Sequence, residues 1–497
     1  MNNNKSFRTL NRRQFVEWSG IALAGAGLPL GLVGCSDSSD SASGTAGAAL
    51  PVDPQGRWWL SGNYAPVLEE RDVEGLAVSG ELPQSLHGLY VRNGSNQEDI
   101  GHWFNGHGML HGVRFQNGEA SLYRNRYVRT KLFLNPDLAP NPTDIEANPS
   151  NVSVIHHGGK LLSLGEVGLP YEIGSDSLET AGSYDFDGAL NGWMTAHPKI
   201  HPDTGELLFF GYSVVNAPYL TYYRANAAGE IVQAEHITVP APVMMHDFAA
   251  TENYVLFYDL PVVFSLDEAI AGNPLPFGWD PDHIPRIGIM PQRGGDNDVI
   301  WFPIDPCFVF HTLNAYEDPG NPREIVLHAS RLDAPFWEDN VQDFSRPSWL
   351  YEWRFNLDTG SLVSAGRLLD APFDFGQVNR NVWGKPYRYG YGLDFSERST
   401  SEAPAQPVGI QRYDRHDGTS TQLNLKERDL VPDEALFVPA GAGGEDSGYL
   451  LSYAFNRRTA TTDLLIIDAA DIAAGPVATV HLPERVPHGF HGVWIPA

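Results

Sequence analysis

Cysteine is nearly absent from this chain, with 2 residues in 497. Cys35 follows an N-terminal stretch that reads as a leader, and Cys307 lies in the apolar run Pro306-Cys307-Phe308-Val309-Phe310. A single cysteine beyond the leader cannot form an internal disulfide, so the fold is not stapled. Cys307 reads as a small buried hydrophobe. Basic residues are also scarce: 33 Lys and Arg stand against 61 Asp and Glu, a net charge of -28. A surface this acidic repels polyphosphate, which excludes nucleic acid as a partner and suits an uncharged substrate. Helix-forming runs of Ala, Leu, Glu and Lys are missing, and residues 266–271 support at most one or two turns. What is abundant instead is glycine (50), proline (37) and aromatic residues (11%), the composition of one all-β unit rather than several helical domains.

The first residues read as a targeting signal. Paired arginines in Asn11-Arg12-Arg13-Gln14-Phe15 precede an apolar run over residues 20–32. That run is short and rich in Gly and Pro, so it suits a signal peptide better than a membrane span. Arginine pairs in this setting look like a twin-arginine (Tat) export signal. Leu32-Val33-Gly34-Cys35 resembles a bacterial lipobox, with Cys35 as the lipidated residue; the plainer alternative is a signal peptide with a chance cysteine. The Ser/Asp/Gly/Ala tract that follows is a flexible tether. The expected division is a signal over 1–34, a tether over 35–57 and one catalytic domain over 58–497. The expected location is periplasmic, as a membrane-anchored lipoprotein.

From Trp58 onward, short β-rich runs alternate with turn signals. Asn117-Gly118, Gly158-Gly159, Asp203-Thr204-Gly205, Asp358-Thr359-Gly360 and Asp417-Gly418 each lie between such runs, as over 207–212, 254–258, 351–355 and 448–455. This is hairpin chemistry repeated along the chain. Over 400 residues of hairpins without a linker point to a propeller, whose blades repeat about an axis and keep their edges short. No crisp sequence repeat accompanies it. In a propeller, residues far apart in sequence meet at the axis, and the final strand is expected to complete the last blade.

The C-terminus carries Pro487-His488-Gly489-Phe490-His491-Gly492 almost at the chain's end. Termini usually fray, so a Phe-His core between glycines there implies an end pinned inside the fold. His491 is read as the fourth ligand of a buried metal. The other three are His197 in Ala196-His197-Pro198-Lys199, His246 in Met245-His246-Asp247-Phe248, and His311 in Phe310-His311-Thr312-Leu313. No local metal motif has such spacing, whereas an axial site makes it natural. Other histidines compete: His102, His107 and His111 share one Gly-broken segment, His156-His157 precedes a Gly-Gly turn and looks exposed, and His201 lies in a turn. Four neutral imidazoles suit Fe, Zn, Cu or Ni, and on a six-coordinate metal they leave open positions. Their other ring nitrogens call for partners, often carboxylates. Glu166 in Leu164-Gly165-Glu166-Val167-Gly168 and Glu434 in Asp433-Glu434-Ala435-Leu436-Phe437 fit that role; for each, an exposed loop carboxylate is the plainer reading.

Taken in order, these motifs resemble the carotenoid cleavage oxygenase family, which includes the retinal pigment epithelium isomerase and stilbene-cleaving dioxygenases. The resemblance also runs through Gly88-Leu89-Tyr90-Val91-Arg92-Asn93-Gly94, Trp103-Phe104-Asn105-Gly106-His107-Gly108-Met109 and Arg388-Tyr389-Gly390-Tyr391-Gly392. It implies an all-β, seven-bladed propeller, with loops and short helices capping the active-site face, and Fe(II) held on the axis by His197, His246, His311 and His491. It further implies Glu166 behind His246 and Glu434 behind His491. The family's third glutamate falls at Asp374, one methylene shorter, so its bond to His311 is lost, made direct by a backbone shift, or bridged by water. The family's Asp-Gly-Asp-Gly-Met reads Asn105-Gly106-His107-Gly108-Met109 here. The implied activity is cleavage of a conjugated C=C bond of a carotenoid or apocarotenoid with O2, giving two carbonyl products. No side chain is needed as acid or base. Stilbene cleavage is the alternative; the family's stilbene-cleaving members are expected to place a lysine near the Glu166 position, where Lys160 is the nearest. Isomerase activity is a more distant possibility, and a non-catalytic propeller lipoprotein is the non-enzyme reading. The apolar runs 260–264 and 274–277 are candidates for membrane contact or a tunnel mouth, against the plainer readings of core strand and ordinary loop.

Overall fold

The computed structural model describes residues 49–96, 101–138, 141–333, 337–338, 341–342, 346–397, 405–441 and 443–497. The segment read as a signal, the lipobox with Cys35 and most of the tether lie outside the described residues.

Antiparallel hairpins build seven blades. In chain order, blade 1 is built on Gly88–Ser95, Gly108–Gln116 and Glu119–Tyr127, blade 2 runs from Ser153–His157 to Thr180–Ser183, blade 3 from Lys199–Ile200 to Ile231–Ile237, and blade 4 from Ala249–Ala250 to Ile300–Pro303. Blades 5 and 6 share the long strand Ser361–Gln377, which pairs with Ser348–Asn356 at one end and Tyr389–Asp394 at the other. Blade 7 centres on Gly448–Asn456 and Thr461–Asp468. Asn117 (φ 54°) and Gly118 (φ 75°) form the blade 1 hairpin turn, since two consecutive left-handed residues match the strands' own twist. Gly158 and Gly159 do the same in blade 2.

Ring closure differs from the expectation. The last strand, Gly492–Pro496, does not complete the last blade; it pairs with Gly88–Ser95 of blade 1, Gly492 opposite Arg92 and Pro496 opposite Gly88. The last blade is completed from the other end of the chain, where Ala77–Gly80 pairs with Pro476–His481. Each terminus thus crosses the same seam in opposite directions. The approach is close: a Cβ on Gly94 would stand 2.8 Å from the Gly489 Cα, so both positions need glycine.

The interior is apolar between blades. One cluster joins blades 3, 4 and 5 through Phe210, Phe248, Phe257, Phe302 and Phe355, and another seals the seam between blades 7 and 1 through Tyr90, Val113, Leu451 and Ile466. Two short α-helices among the described residues, Lys131–Leu134 and Leu266–Ile270, lie outside the blades. No helix among the described residues is long and apolar enough to cross a membrane. Cys307 is buried and free, and burial pushes its thiol up to about 12, as expected of an inert core residue.

Candidate metal centre

Four axial strands each bring in one imidazole. His197 precedes Lys199–Ile200, His246 precedes Ala249–Ala250, and His491 precedes Gly492–Pro496. His311 lies within Cys307–Asp318, where the register breaks between Val309 and Thr312; the bulge re-aims its side chain. Their ligand atoms all lie within 4.8 Å of one another. The Nε2 atoms of His197 and His246 are 3.0 Å apart.

The remaining blades supply carboxylates. Glu166, after Lys160–Leu164 of blade 2, accepts from His246 Nδ1 at 2.8 Å. Asp374, at the inner end of blade 6, accepts from His311 Nδ1 at 2.7 Å. Glu434 of blade 7 accepts from His491 Nδ1 at 2.8 Å. The shorter Asp374 therefore makes its bond directly. It does so with a backbone shift: the strand bulges between Asp374 and Gln377, Phe375 takes φ 55°, and the Phe375 N–H turns back onto Asp374 Oδ1 at 2.8 Å. With Nδ1 engaged as a donor, each of these rings presents Nε2 as a lone pair to the centre.

Each carboxylate is itself held. Tyr212 donates to Glu166 at 2.8 Å, Ser348 to Asp374 at 3.2 Å, and Gln377 and the Gly492 N–H to Glu434 at 2.9 and 2.8 Å. Sequence reasoning missed these partners, because nothing local marks a hydroxyl or amide for a strand far away in the chain. It also missed Asp247, which is buried and accepts from Lys199 at 2.8 Å and from the Thr312 N–H at 2.8 Å. That one carboxylate ties together the segments carrying His197, His246 and His311.

The competing histidines lie elsewhere. His102 packs in an aromatic group with Trp58 and Phe104, and His111 is buried against the Tyr123 hydroxyl at 2.9 Å. His157 is buried rather than exposed, because its Nε2 bonds the Gly205 carbonyl of the neighbouring blade at 2.9 Å; only His156 is exposed. His201 caps its own turn by accepting from the Asp203 and Thr204 N–H groups. Of the two changes in the Asn105-Gly106-His107 segment, Asn105 donates to the Pro274 carbonyl at 3.0 Å and so ties the loop beside it. Nothing in the structure explains His107 in the same way.

Burial, reinforced by the neighbouring imidazoles, pushes the pKa of His197 well below its usual 6.5. Burial also lowers that of His311, outweighing Asp374, and Asp374 is itself held below the usual carboxylate range because His311 and the Phe375 N–H outweigh its burial. The unfolded chain binds protons on these histidines from about pH 6.5 downward, while the metal-free fold refuses them. Stability of metal-free protein is therefore expected to be complete above pH 6.5 and to fall as the pH drops below it. Melting temperatures measured above and below pH 6.5 check this, and a flat profile would contradict it.

Three of the imidazoles, those of His246, His311 and His491, line a cavity of ≈ 910 Å³, at the upper end of the ~300–1,000 Å³ usual for ligand sites. Phe104, Val167, Trp193, Phe264, Phe310 and Phe375 are among its walls, and Leu132 and Ala269 bring in the two short helices. Of the run 260–264, Leu260, Val262 and Val263 are core, and Phe264 faces the cavity with Leu275, Pro276 and Phe277. No lysine lines the cavity among the described residues, and Lys160 is paired with Glu172 at 2.7 Å.

A β-propeller with a carboxylate-braced tetra-imidazole site on its axis, open to an apolar cavity, defines a metal-dependent enzyme acting on an apolar substrate. Residues 64–496 match the family model described as retinal pigment epithelial membrane protein, and the chain belongs to this family of carotenoid cleavage oxygenases. It is 36% identical to a carotenoid cleavage oxygenase of Mycobacterium tuberculosis, over 91% of this chain and 99% of that one. It is also 36% identical to a carotenoid 9,10(9',10')-cleavage dioxygenase of Pisum sativum, over 88% of this chain and 90% of that one. Among solved structures, the lignostilbene dioxygenase of Pseudomonas brassicacearum superposes with a TM-score of 0.79 at 27% identity, covering 88% and 98% of the two chains.

Proposed function

We propose that the protein is an Fe(II)-dependent dioxygenase that cleaves a conjugated C=C bond of a carotenoid or apocarotenoid. The observation that carries this is the site itself: four imidazole nitrogens within 4.8 Å of one another, with three of the rings, His246, His311 and His491, lining an apolar cavity. The donor set fits iron. Neutral imidazoles without thiolate or carboxylate ligands suit Fe(II), and four of them leave positions open for other ligands. Iron bound there would supply activation of O2 beside the substrate. In the reaction the C=C and O–O bonds break and two C=O bonds form, so no external reductant or proton donor is needed.

The chain's own residues do the rest. His197, His246, His311 and His491 hold the metal, and Glu166, Asp374 and Glu434 fix three of the rings. The Phe375 ring lies 4.7 Å from His311 and 5.3 Å from His491, which keeps one side of the site dry. The aromatic walls hold a flat conjugated chain by dispersion and exclude water. An uncharged polyene makes no demand for a lysine in the cavity.

Stilbene cleavage is the second reading, favoured by the likeness to a lignostilbene dioxygenase. We read the protein as exported and lipid-anchored through Cys35, which would keep it beside the membrane where carotenoids dissolve. The test is product analysis of iron-loaded protein given a carotenoid, an apocarotenal and a hydroxystilbene side by side under labelled O2. Two labelled carbonyl fragments from a polyene are expected. No cleavage in any arm would sink the reading, and cleavage of the stilbene alone would replace it with the second.

A further inference from the structure

A second group of side chains arranged for chemistry lies on the outer rim of blade 7. There the strand Ala77–Gly80 pairs with Pro476–His481, which pairs in turn with Thr461–Asp468. His481 stands opposite Asp463 across one ladder. Across the other ladder Ala77 is opposite His481, so Ser79 lies diagonal to it. Opposite and diagonal residues of an antiparallel pair share a face. The three side chains meet in a line: Ser79 Oγ is 2.7 Å from His481 Nε2, and His481 Nδ1 is 2.7 Å from Asp463 Oδ1.

Each member has the surroundings its part requires. Asp463 is buried, and Asn456 donates to its other oxygen at 2.9 Å, so the carboxylate is fixed. It accepts the Nδ1 proton of His481, which leaves Nε2 of the neutral ring with a lone pair aimed at Ser79. The serine hydroxyl therefore donates to the imidazole. A serine beside an imidazole that a carboxylate orients is the arrangement that activates a hydroxyl as a nucleophile. Ser79 and His481 are exposed, so a reactant reaches both. The ladder also supplies a donor. The Glu81 N–H bonds the Val477 carbonyl, so alternation along the antiparallel pair turns the Ser79 N–H inward and the Gly80 N–H toward the open edge. No strand among the described residues covers that edge. An N–H one residue beyond the nucleophile is placed to stabilise negative charge on an attacked carbonyl. Val477, exposed and diagonal to Ser79, offers a short acyl chain an apolar rest.

We propose that Ser79, His481 and Asp463 form a second active site, in which Ser79 is the nucleophile for hydrolysis of small, activated acyl esters. All four residues of Ala77–Gly80 are exposed, and so open a face suits a short ester. Ser79 Oγ attacks the acyl carbon while His481 Nε2 takes the hydroxyl proton. The bond to the alcohol oxygen breaks as that proton passes to it, and the alcohol leaves. Water then attacks the acyl-serine with the same imidazole as base, which releases the acid and restores the serine. Ester and water are the reactants, and the site is independent of the axial one.

The experiment treats iron-loaded, full-chain protein with a fluorophosphonate, which reacts with activated serines, and finds the modified residue by peptide mass mapping. Hydrolysis of p-nitrophenyl acetate is followed in parallel. Ser79 is expected to be phosphonylated, while Ser364, also exposed, stays unmodified. His481→Phe is expected to slow labelling of Ser79 by about a hundredfold or more, the usual share of a positioned general base. Asp463→Asn is expected to slow it as well, because the imidazole loses the carboxylate that orients it. Ser79→Ala is expected to lose most of the ester hydrolysis. Iron content and melting temperature should be unchanged in Ser79→Ala and His481→Phe, since both side chains are exposed on the rim. An unlabelled Ser79, or labelling as fast in His481→Phe as in the parent, overturns the proposal. So does ester hydrolysis that Ser79→Ala leaves unchanged.

Discussion

His246→Ala protein is expected to emerge from purification without iron and without cleavage activity. The His246 ring is gripped from both sides. Its Nδ1 bonds Glu166 at 2.8 Å, and Glu166 is itself fixed by Tyr212 at 2.8 Å. Its Nε2 lies 3.0 Å from that of His197. Losing an outer carboxylate alone typically costs a metal site ~10–100-fold in affinity, and losing the ligand it braces costs more. Alanine also leaves Glu166 in the cavity floor without its imidazole partner. Iron per chain, measured after desalting, should fall from near one to near zero. His236→Ala is the control: that histidine is exposed and bonds only the Thr221 hydroxyl, so iron content should not change. An iron-replete, active His246→Ala protein would refute the ligand set.

How much of this site was legible depended on whether the signal was local. The turn signals Asn117-Gly118 and Gly158-Gly159 mark real hairpins, because left-handed φ is a demand a sequence can show in two residues. The four histidines could be singled out because each sits in an apolar strand entry, and the family motifs surround them. Asp374 could not be settled. Whether a carboxylate one methylene shorter reaches His311 depends on Phe375 adopting φ 55°, a cost that only the surrounding strands can impose on a non-glycine residue. His157 looked exposed beside its Gly-Gly turn, yet its partner is a carbonyl 48 residues away on another blade. Ring closure was misread for the same reason. Pairing between Gly88–Ser95 and Gly492–Pro496 joins the two ends of the chain, and alternation within either strand says nothing about which neighbour it meets.

That closure couples the fold to the metal, and deleting residues 492–497 tests the coupling. The deleted strand pairs residue by residue with Gly88–Arg92, buries Val493, and supplies the Gly492 N–H that holds Glu434. Burial of Val493 alone is worth about 1.5–3 kcal/mol. Adding the lost ladder and the exposed edge, the total approaches the ~5–15 kcal/mol that keeps a domain folded. The truncated chain is therefore expected to lose cooperative thermal unfolding and to bind no iron. His491→Ala separates the two roles, because it keeps the strand and removes only the imidazole. That variant should melt as one unit and yet fail to gain stability from iron. In the intact chain, a metal that binds only the folded state adds about 2.7 kcal/mol at a hundredfold excess over its dissociation constant. Iron should thus raise the melting temperature of the intact protein and leave that of His491→Ala where it was. A truncated protein that melts like the full chain would show that the ring closes without its C-terminal strand, and that His491 is held in place by something other than the seam.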